Sequence, residues 1–279
     1  MVGLLALGMS TLSFAATYHT VNVQGSMNTQ ANGVNNKFQI VGLYVDSAYP
    51  HTNHGFILNN GAYKTIDYPG AGATQVYGIN DSGEIVGNFV YSTGGPIHGF
   101  RRLNGVFKRL DYPGAAMTFA NGVNATGEIV GNYCTNSGCS RSFKYVNGVW
   151  TSVKIPGAIS TYASGINKNG DIVGSYQTSS STIHGFVLHP DGTYKKIDYP
   201  GAVGHTSATG INDNGDIIGS FQVAVGSGSG FMLHNGTYTK FKYPNYQFTQ
   251  PEGINNQLYG VGYAFNDTGP ERSFYVKLP

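Results

Sequence analysis

The chain has 279 residues, of which 11% are charged, and a formal net charge of +2. So weak a balance argues against nucleic acid as a partner, because neutralising phosphates takes a dense basic surface. Arg101-Arg102 and Lys108-Arg109 are among its longest basic clusters, and they read as solvated strand edges.

In chain order, residues 1–16 come first and differ from everything after them. LLALGMSTLSFAA is an apolar run of signal-peptide length, too short to span a membrane, and Ser13-Phe14-Ala15 followed by Ala16 is an acceptable cleavage site. The usual basic start is missing. The expectation is an export leader over 1–16 and one domain over 17–279.

From there the chain repeats itself. A Gly-(Ile/Val)-Asn anchor recurs at Gly33, Gly78, Gly122, Gly165, Gly210 and Gly253, with spacings of 45, 44, 43, 45 and 43 residues. A Thr stands four residues before each anchor, from Thr29 to Thr249, and a Phe opens a later strand at Phe56, Phe100, Phe143, Phe186, Phe231 and Phe274. Within one unit, TQVYGIN, EIVGNFVY, HGFRRL and VFKRLDY alternate apolar and polar residues with period two. The Asn104-Gly105 pair between the last two is a hairpin signal. Phe56 and Leu58 make one face of their strand apolar, while Ile57 and Ile66 make the other face so. Four strands per unit, a repeat near 44 residues and burial on both faces predict an all-β, six-bladed β-propeller of four antiparallel strands per blade. The chain finishes on a third strand, ERSFYVKLP, and opens on an orphan fourth strand, TYHTVNV. The two are expected to share one blade and close the ring, leaving no sheet edge at the seam.

Counting outward from the hairpin turns sets His54 opposite Asp67, His98 opposite Asp111 and His184 opposite Asp198. The other three blades oppose Arg141 to Lys154, Ser229 to Lys242 and Arg272 to Asn22. A His–Asp pair is half of a catalytic triad. Three symmetric copies, without a nucleophile beside any of them, read instead as a polar tie across the hairpin. Cys134 and Cys139 lie in one loop and are expected to form a disulfide in an oxidising compartment. Asn212-Asp213-Asn214-Gly215-Asp216 has the wrong oxygen spacing for a calcium loop and reads as a tight turn. Neither a metal nor a cofactor is expected.

The tight turns fall on one face of such a ring, and the Pro-Gly-Ala corners and variable loops on the other. Function on a rigid scaffold resides on such loops. The same face is expected to carry Gln30, Gln75, Phe119, Tyr162, Ser207 and Gln250, a rim of amides, hydroxyls and aromatics. Just before the anchors stand Asn32, Tyr77, Asn121, Ser164, Thr209 and Glu252, so Glu252 is the single acid of that ring and the best candidate for a general acid or base. A lone carboxylate lacks the partner that glycoside hydrolysis uses.

The motif string GINDSGEIVGNFV…HGF…NG.F…LDYPGA resembles the HAF-type extracellular repeat family of bacterial secreted proteins, over all six units. The resemblance implies export and a propeller-like fold, and it carries no reaction. Blades three and five depart from the pattern at KIPGA and KYPNY. Three functions compete. The first is a secreted module that binds neutral glycan or another extracellular polymer through Gln30, Gln75, Phe119, Tyr162, Gln250 and Glu252, acting as a monomer. The second is an extracellular protein-interaction scaffold. The third is a polysaccharide hydrolase or lyase at the axial mouth, using Glu252 with His205 or Tyr162. Binding ranks first, because along the sequence the departures from repeat symmetry are scattered.

Overall fold

The computed structural model describes residues 12–13, 16–48, 51–179 and 182–279, and residues 12–13 by backbone alone. Six four-stranded antiparallel sheets surround one axis. Blade 1 runs Ser26–Val34, Ile40–Asp46, Asn53–Asn59 and Ala62–Ile66 from the axis outward, and blade 2 runs Ala73–Ile79, Ile85–Val90, His98–Leu103 and Val106–Leu110. Blades 3, 4 and 5 repeat this order, starting at Met117, Ser160 and Thr206. Blade 6 takes Phe248–Ile254, Tyr259–Phe265 and Arg272–Lys277 from the C-terminal part and Tyr18–Thr20 from the N-terminal part. The closure is antiparallel, with Tyr18 beside Val276 and Thr20 beside Phe274. Leu12–Ser13 lies parallel to the outer strand of blade 5, while the rest of the expected leader up to Ala15 falls outside the described residues.

Local chemistry explains the elements. Asn60-Gly61, Asn104-Gly105, Asn147-Gly148 and Asn235-Gly236 all have positive φ at both positions, as a two-residue hairpin turn matched to strand twist requires. Each blade then buries both faces. Val41, Ile57 and Ile66 of blade 1 pack on Val76, Ile85 and Phe100 of blade 2. The opposite face of blade 1, with Ala31, Val34 and Phe56, packs on Val261 of blade 6 and on Val21 of the closing segment. Four further clusters fill the remaining gaps, so the core is six wedges of apolar contact rather than one centre. The Tyr of the corner motif adds a stacked contact to the next blade: Tyr68 on Phe89 at 3.7 Å, Tyr112 on Tyr133 at 3.8 Å and Tyr199 on Phe221 at 3.6 Å between ring centres.

The repeated Thr has one role in all six blades. Its hydroxyl accepts a backbone N–H from the preceding corner, at Val23, Tyr68, Tyr112, Ile155, Tyr199 and Tyr243. The repeated Asn has two. Its Oδ1 accepts the N–H groups two and four residues on, as at Asn80 with Ser82 and Glu84, which shapes the turn. Its Nδ2 donates to the backbone carbonyl of the corresponding Asn one blade further round. Asn35 reaches Asn80, Asn80 reaches Asn124, then Asn167, Asn212 and Asn255 follow, and Asn255 returns to Asn35, at 2.8 to 3.3 Å throughout. Six buried side chains therefore form an unbroken head-to-tail circle around the axis.

Candidate functional site: the axial mouth and the clefts of the loop-rich face

Every inner strand carries a β-bulge one residue before its anchor glycine, between Ala31 and Gly33, Val76 and Gly78, Ala120 and Gly122, Ala163 and Gly165, Ala208 and Gly210, and Pro251 and Gly253. A bulge leaves one residue unpaired and re-aims it. Here the six unpaired residues are Asn32, Tyr77, Asn121, Ser164, Thr209 and Glu252, and all six line an axial cavity of about 80 Å³. A Cβ on the adjoining anchor glycine would come within 2.7 to 3.3 Å of a carbonyl of the next inner strand, so these glycines let the strands converge. Half of the ring is tied to the backbone of the next blade: Asn32 donates to Val76 O, Asn121 to Ala163 O and Thr209 to Pro251 O.

Glu252 is different. The residue keeps some solvent contact, yet protein surrounds the carboxylate deep in the channel, and this desolvation pushes its pKa up to about 8 despite a hydrogen bond from Gln250. It is therefore neutral at pH 7. Its field, after burial, helps push Tyr77 up to about 12. Burial, with Glu252 and Glu271 next in weight, also raises Tyr263 well above the ordinary phenol value. Tyr263 thus lies within electrostatic reach of both acids. Glu271 itself accepts from Gln30 Nε2 at 2.7 Å and from Asn28 Nδ2 at 2.6 Å, and Tyr77 donates to Gln75 Oε1 at 2.9 Å.

Symmetry shows what is special. The cross-strand partners of the rim residues are Leu43, Asn88, Asn132, Ser175, Ser220 and Tyr263, so blade 6 alone carries a phenol there. Two residues before the third-strand partner, blade 6 alone carries an acid, Glu271. Glu252 and Tyr263 come from the first two strands of one blade and Glu271 from the residue just before its third, and their departures from the repeat meet at one side of the mouth. This differs from the scattered breaks expected along the sequence. Glu271 and Tyr263 are the members that sequence reading missed; aligning all four strands of each unit, rather than only the inner one, picks out both.

The remaining rim residues divide. Gln30 bonds Glu271 and Gln250 bonds Glu252, while Gln75 bonds Tyr77 of the ring. Tyr162 donates its hydroxyl to Cys139 O at 2.8 Å, so it braces the loop closed by the Cys134–Cys139 disulfide rather than facing Glu252. Phe119 and Ser207 occupy the corresponding half-buried positions of blades 3 and 5. His205 lines a separate cleft of about 180 Å³ between blades 5 and 6, with Phe221, Gln222, Phe248 and Gln250. Burial lowers the His205 pKa, which keeps the ring neutral. Gln250 belongs to both places, lining this cleft and bonding Glu252.

The three His–Asp pairs lie away from the axis. Nδ1 of His54 is 2.8 Å from Asp67, that of His98 is 3.1 Å from Asp111, and that of His184 is 2.8 Å from Asp198. A second group shares each arrangement: Asp46 at 3.4 Å from His54, Arg109 on Asp111, and Lys196 at 3.1 Å from Asp198. Carboxylates shared in this way tie strands together. A second set of ties, not anticipated, joins the residue after the tight turn to the end of the third strand in blades 2 to 5: Glu84 to Arg101, Glu128 to Lys144, Asp171 to His189 and Asp216 to His234. Among the described residues no group of three or more His, Cys, Asp or Glu is placed to hold a metal, and no helix is long and apolar enough to cross a membrane.

No protein-family model matches the chain, and no curated protein matches it. Solved structures do. A catalytically inactive virginiamycin B lyase from Staphylococcus aureus with quinupristin aligns over 95% of this chain and all of its own, at 14% identity and a TM-score of 0.55. AofleA from Arthrobotrys oligospora aligns over 92% of this chain and 84% of its own, at 12% identity and a TM-score of 0.58. TolB from Acinetobacter baumannii aligns over 75% of this chain and 52% of its own, at 13% identity and a TM-score of 0.55. At such identities the likeness is one of fold: the chain is a six-bladed β-propeller.

The raised Glu252 pKa has a consequence for stability. In the unfolded chain this carboxyl ionises near 4.5, and in the fold near 8. Between those values the folded state holds the extra proton, so stability falls as pH rises through this window and the penalty is complete above about 8. Glu252→Gln is expected to match the wild type in thermal melting at pH 4 and to melt several degrees higher at pH 9. Parallel melting curves at both pH values would show that the carboxyl is not desolvated.

Proposed function

We propose that the protein is an exported binding module for neutral, polyhydroxylated ligands, glycans above all. Binding takes place on the loop-rich face, from the cleft between blades 5 and 6 to the axial mouth. The observation that carries this reading is Gln250, whose side chain lines the cleft of Phe221, Phe248, His205 and Gln222 and also bonds the uncharged Glu252. Two aromatic side chains supply an apolar wall for a sugar ring. Gln222, Gln250 and neutral His205 supply directed hydrogen bonds without net charge, and concave sites of this make-up hold small polar ligands. Export is supported by the disulfide, which suits an oxidising compartment, and by the resemblance to HAF-type extracellular repeats.

Titration with a panel of neutral oligosaccharides tests the reading. A binder is expected to lose at least tenfold in affinity on Phe248→Ala and on Gln250→Ala, with Glu252→Gln close to wild type at pH 7, since the native carboxyl is already neutral. Failure of every neutral saccharide to bind the wild type would defeat it. A second reading, hydrolysis or lysis of a polysaccharide at the mouth, is favoured by one observation: an acid protonated at neutral pH and a second acid, Glu271, both within electrostatic reach of Tyr263. Turnover that is lost in Glu252→Gln while binding is retained would put this reading first.

A further inference from the structure

In blades 1, 2 and 4 the outer corner of the loop-rich face is occupied by a His–Asp tie. Blade 3 has the same backbone register, with Ser142 paired to Val153, and so opposes Arg141 to Lys154 one step further out. Two cations do not tie. Between them, and against the corner of blade 4, lies a cleft of about 280 Å³, lined by Arg141, Lys154, Tyr133, Ser140, Ser152 and Ser160, among others. None of the lining side chains is acidic. Neither Arg141 nor Lys154 has a carboxylate partner among the described residues, whereas Lys144, on the same strand as Arg141, pairs with Glu128. Arg141 is held in place by its bond to Thr135 Oγ1 at 2.6 Å. The wall behind it is stiff: the disulfide closes the loop, Tyr162 clamps Cys139 O, and Ser142 Oγ donates to Thr161 O at 2.6 Å.

We infer that this cleft is a second binding site, for an acidic sugar residue carrying a carboxylate or a sulfate ester. The oxyanion sits between Arg141 and Lys154, where two unneutralised cations face one another and each gains a charge-assisted hydrogen bond. The hydroxylated carrier occupies the rest of the space, which exceeds the needs of an inorganic anion, against Ser140, Ser152 and Ser160. This site is distinct from the neutral cleft between blades 5 and 6 and shares no residue with it.

The test is calorimetric titration of the wild type at low salt with glucuronate, glucose 6-sulfate, inorganic sulfate and glucose. The two acidic sugars are expected to bind, about tenfold more weakly in 0.5 M sodium chloride, and more tightly than inorganic sulfate or glucose. The double substitution Arg141→His with Lys154→Asp installs the tie of the neighbouring blades and is expected to reduce affinity for both acidic sugars at least tenfold. A control with the same change in net charge, Lys195→His with Lys64→Asp on exposed outer strands, is expected to stay within twofold of wild type. Should the double variant fold poorly, Lys154→Gln, at an exposed side chain, is expected to weaken binding about fivefold. Absence of acidic-sugar binding by the wild type overturns the proposal. So does equal affinity in the tie-restoring variant (or in Lys154→Gln where that is used), equal loss in the control, or inorganic sulfate binding as tightly as the sugars.

Discussion

Gly174→Ala is expected to lower the melting temperature by about 10 °C, more than any change on the protein's surface. Each second strand carries a glycine in the Ile-Val-Gly stretch and its equivalents: Gly42, Gly87, Gly131, Gly174, Gly219 and Gly262. A Cβ at Gly174 would lie 1.9 Å from the Tyr162 carbonyl oxygen and 2.9 Å from the Phe186 ring, and the other five come within 2.2 Å of the corresponding carbonyl. The obstacle is backbone, set by the bulge that aims the next side chain into the channel, so no rotamer change relieves it. Overpacking a filled core costs roughly 1 to 3 kcal/mol or somewhat more, and each kcal/mol is worth about 2 to 4 °C in a domain of this size. Ser175→Ala, at the half-buried neighbour, is expected to melt within about 2 °C of wild type. A Gly174→Ala protein that melts beside it would mean that bulge and second strand are not in close contact.

Asn255→Ala is expected to destabilise by about 3 kcal/mol, and to do so at the seam. Asn255 is 3% exposed. Its Oδ1 accepts from Gln257 N and Tyr259 N, at 3.1 and 3.0 Å, and its Nδ2 closes the circle on Asn35 O at 3.1 Å. Truncation strands the N–H groups of Gln257 and Tyr259, both bonds being partly buried, and removes the buried bond across the seam, at roughly 1 kcal/mol each. The Asn35 carbonyl keeps its bond from Phe38 N. Hydrogen exchange is expected to quicken first in blades 6 and 1, the two that this bond joins. Exchange that quickens evenly around all six blades would show that the circle shares its load rather than failing at the cut.

The architecture was legible because its determinants are periodic. The anchor, the Thr and the Phe count six blades, and the orphan strands at the two ends announce the closure later seen between Thr20 and Phe274. The His–Asp register could be read outward from the hairpins because a short turn fixes pairing, two residues long in blades 1 and 2 and longer in blade 4. What was not legible depends on contacts between units. The Asn reads locally as a turn former, which accounts for its Oδ1; its Nδ2 acts on a chain segment more than 40 residues away. The bulge leaves no mark in hydrophobic alternation beyond the anchor glycine itself. Glu252 could be placed at the axial mouth from its position before the anchor, but without the bulge Tyr263 and Glu271 could not be brought to its side. Tyr162 illustrates the converse: its type suits a ligand-facing rim, but its hydroxyl is engaged by a loop of blade 3.

The shared sixth blade also bears on biosynthesis. Pairing of residue 20 with residue 274 cannot occur until all five intervening blades and most of the sixth have been made. Until then the flank of blade 1 that carries Val34, Ile40 and Phe56 lacks its neighbour Val261, and an apolar flank of that kind invites association between nascent chains. Ring assembly is therefore a late, non-local event of the slow kind expected of β-topologies, and yield in a cell hinges on shielding that flank while the last blade is made.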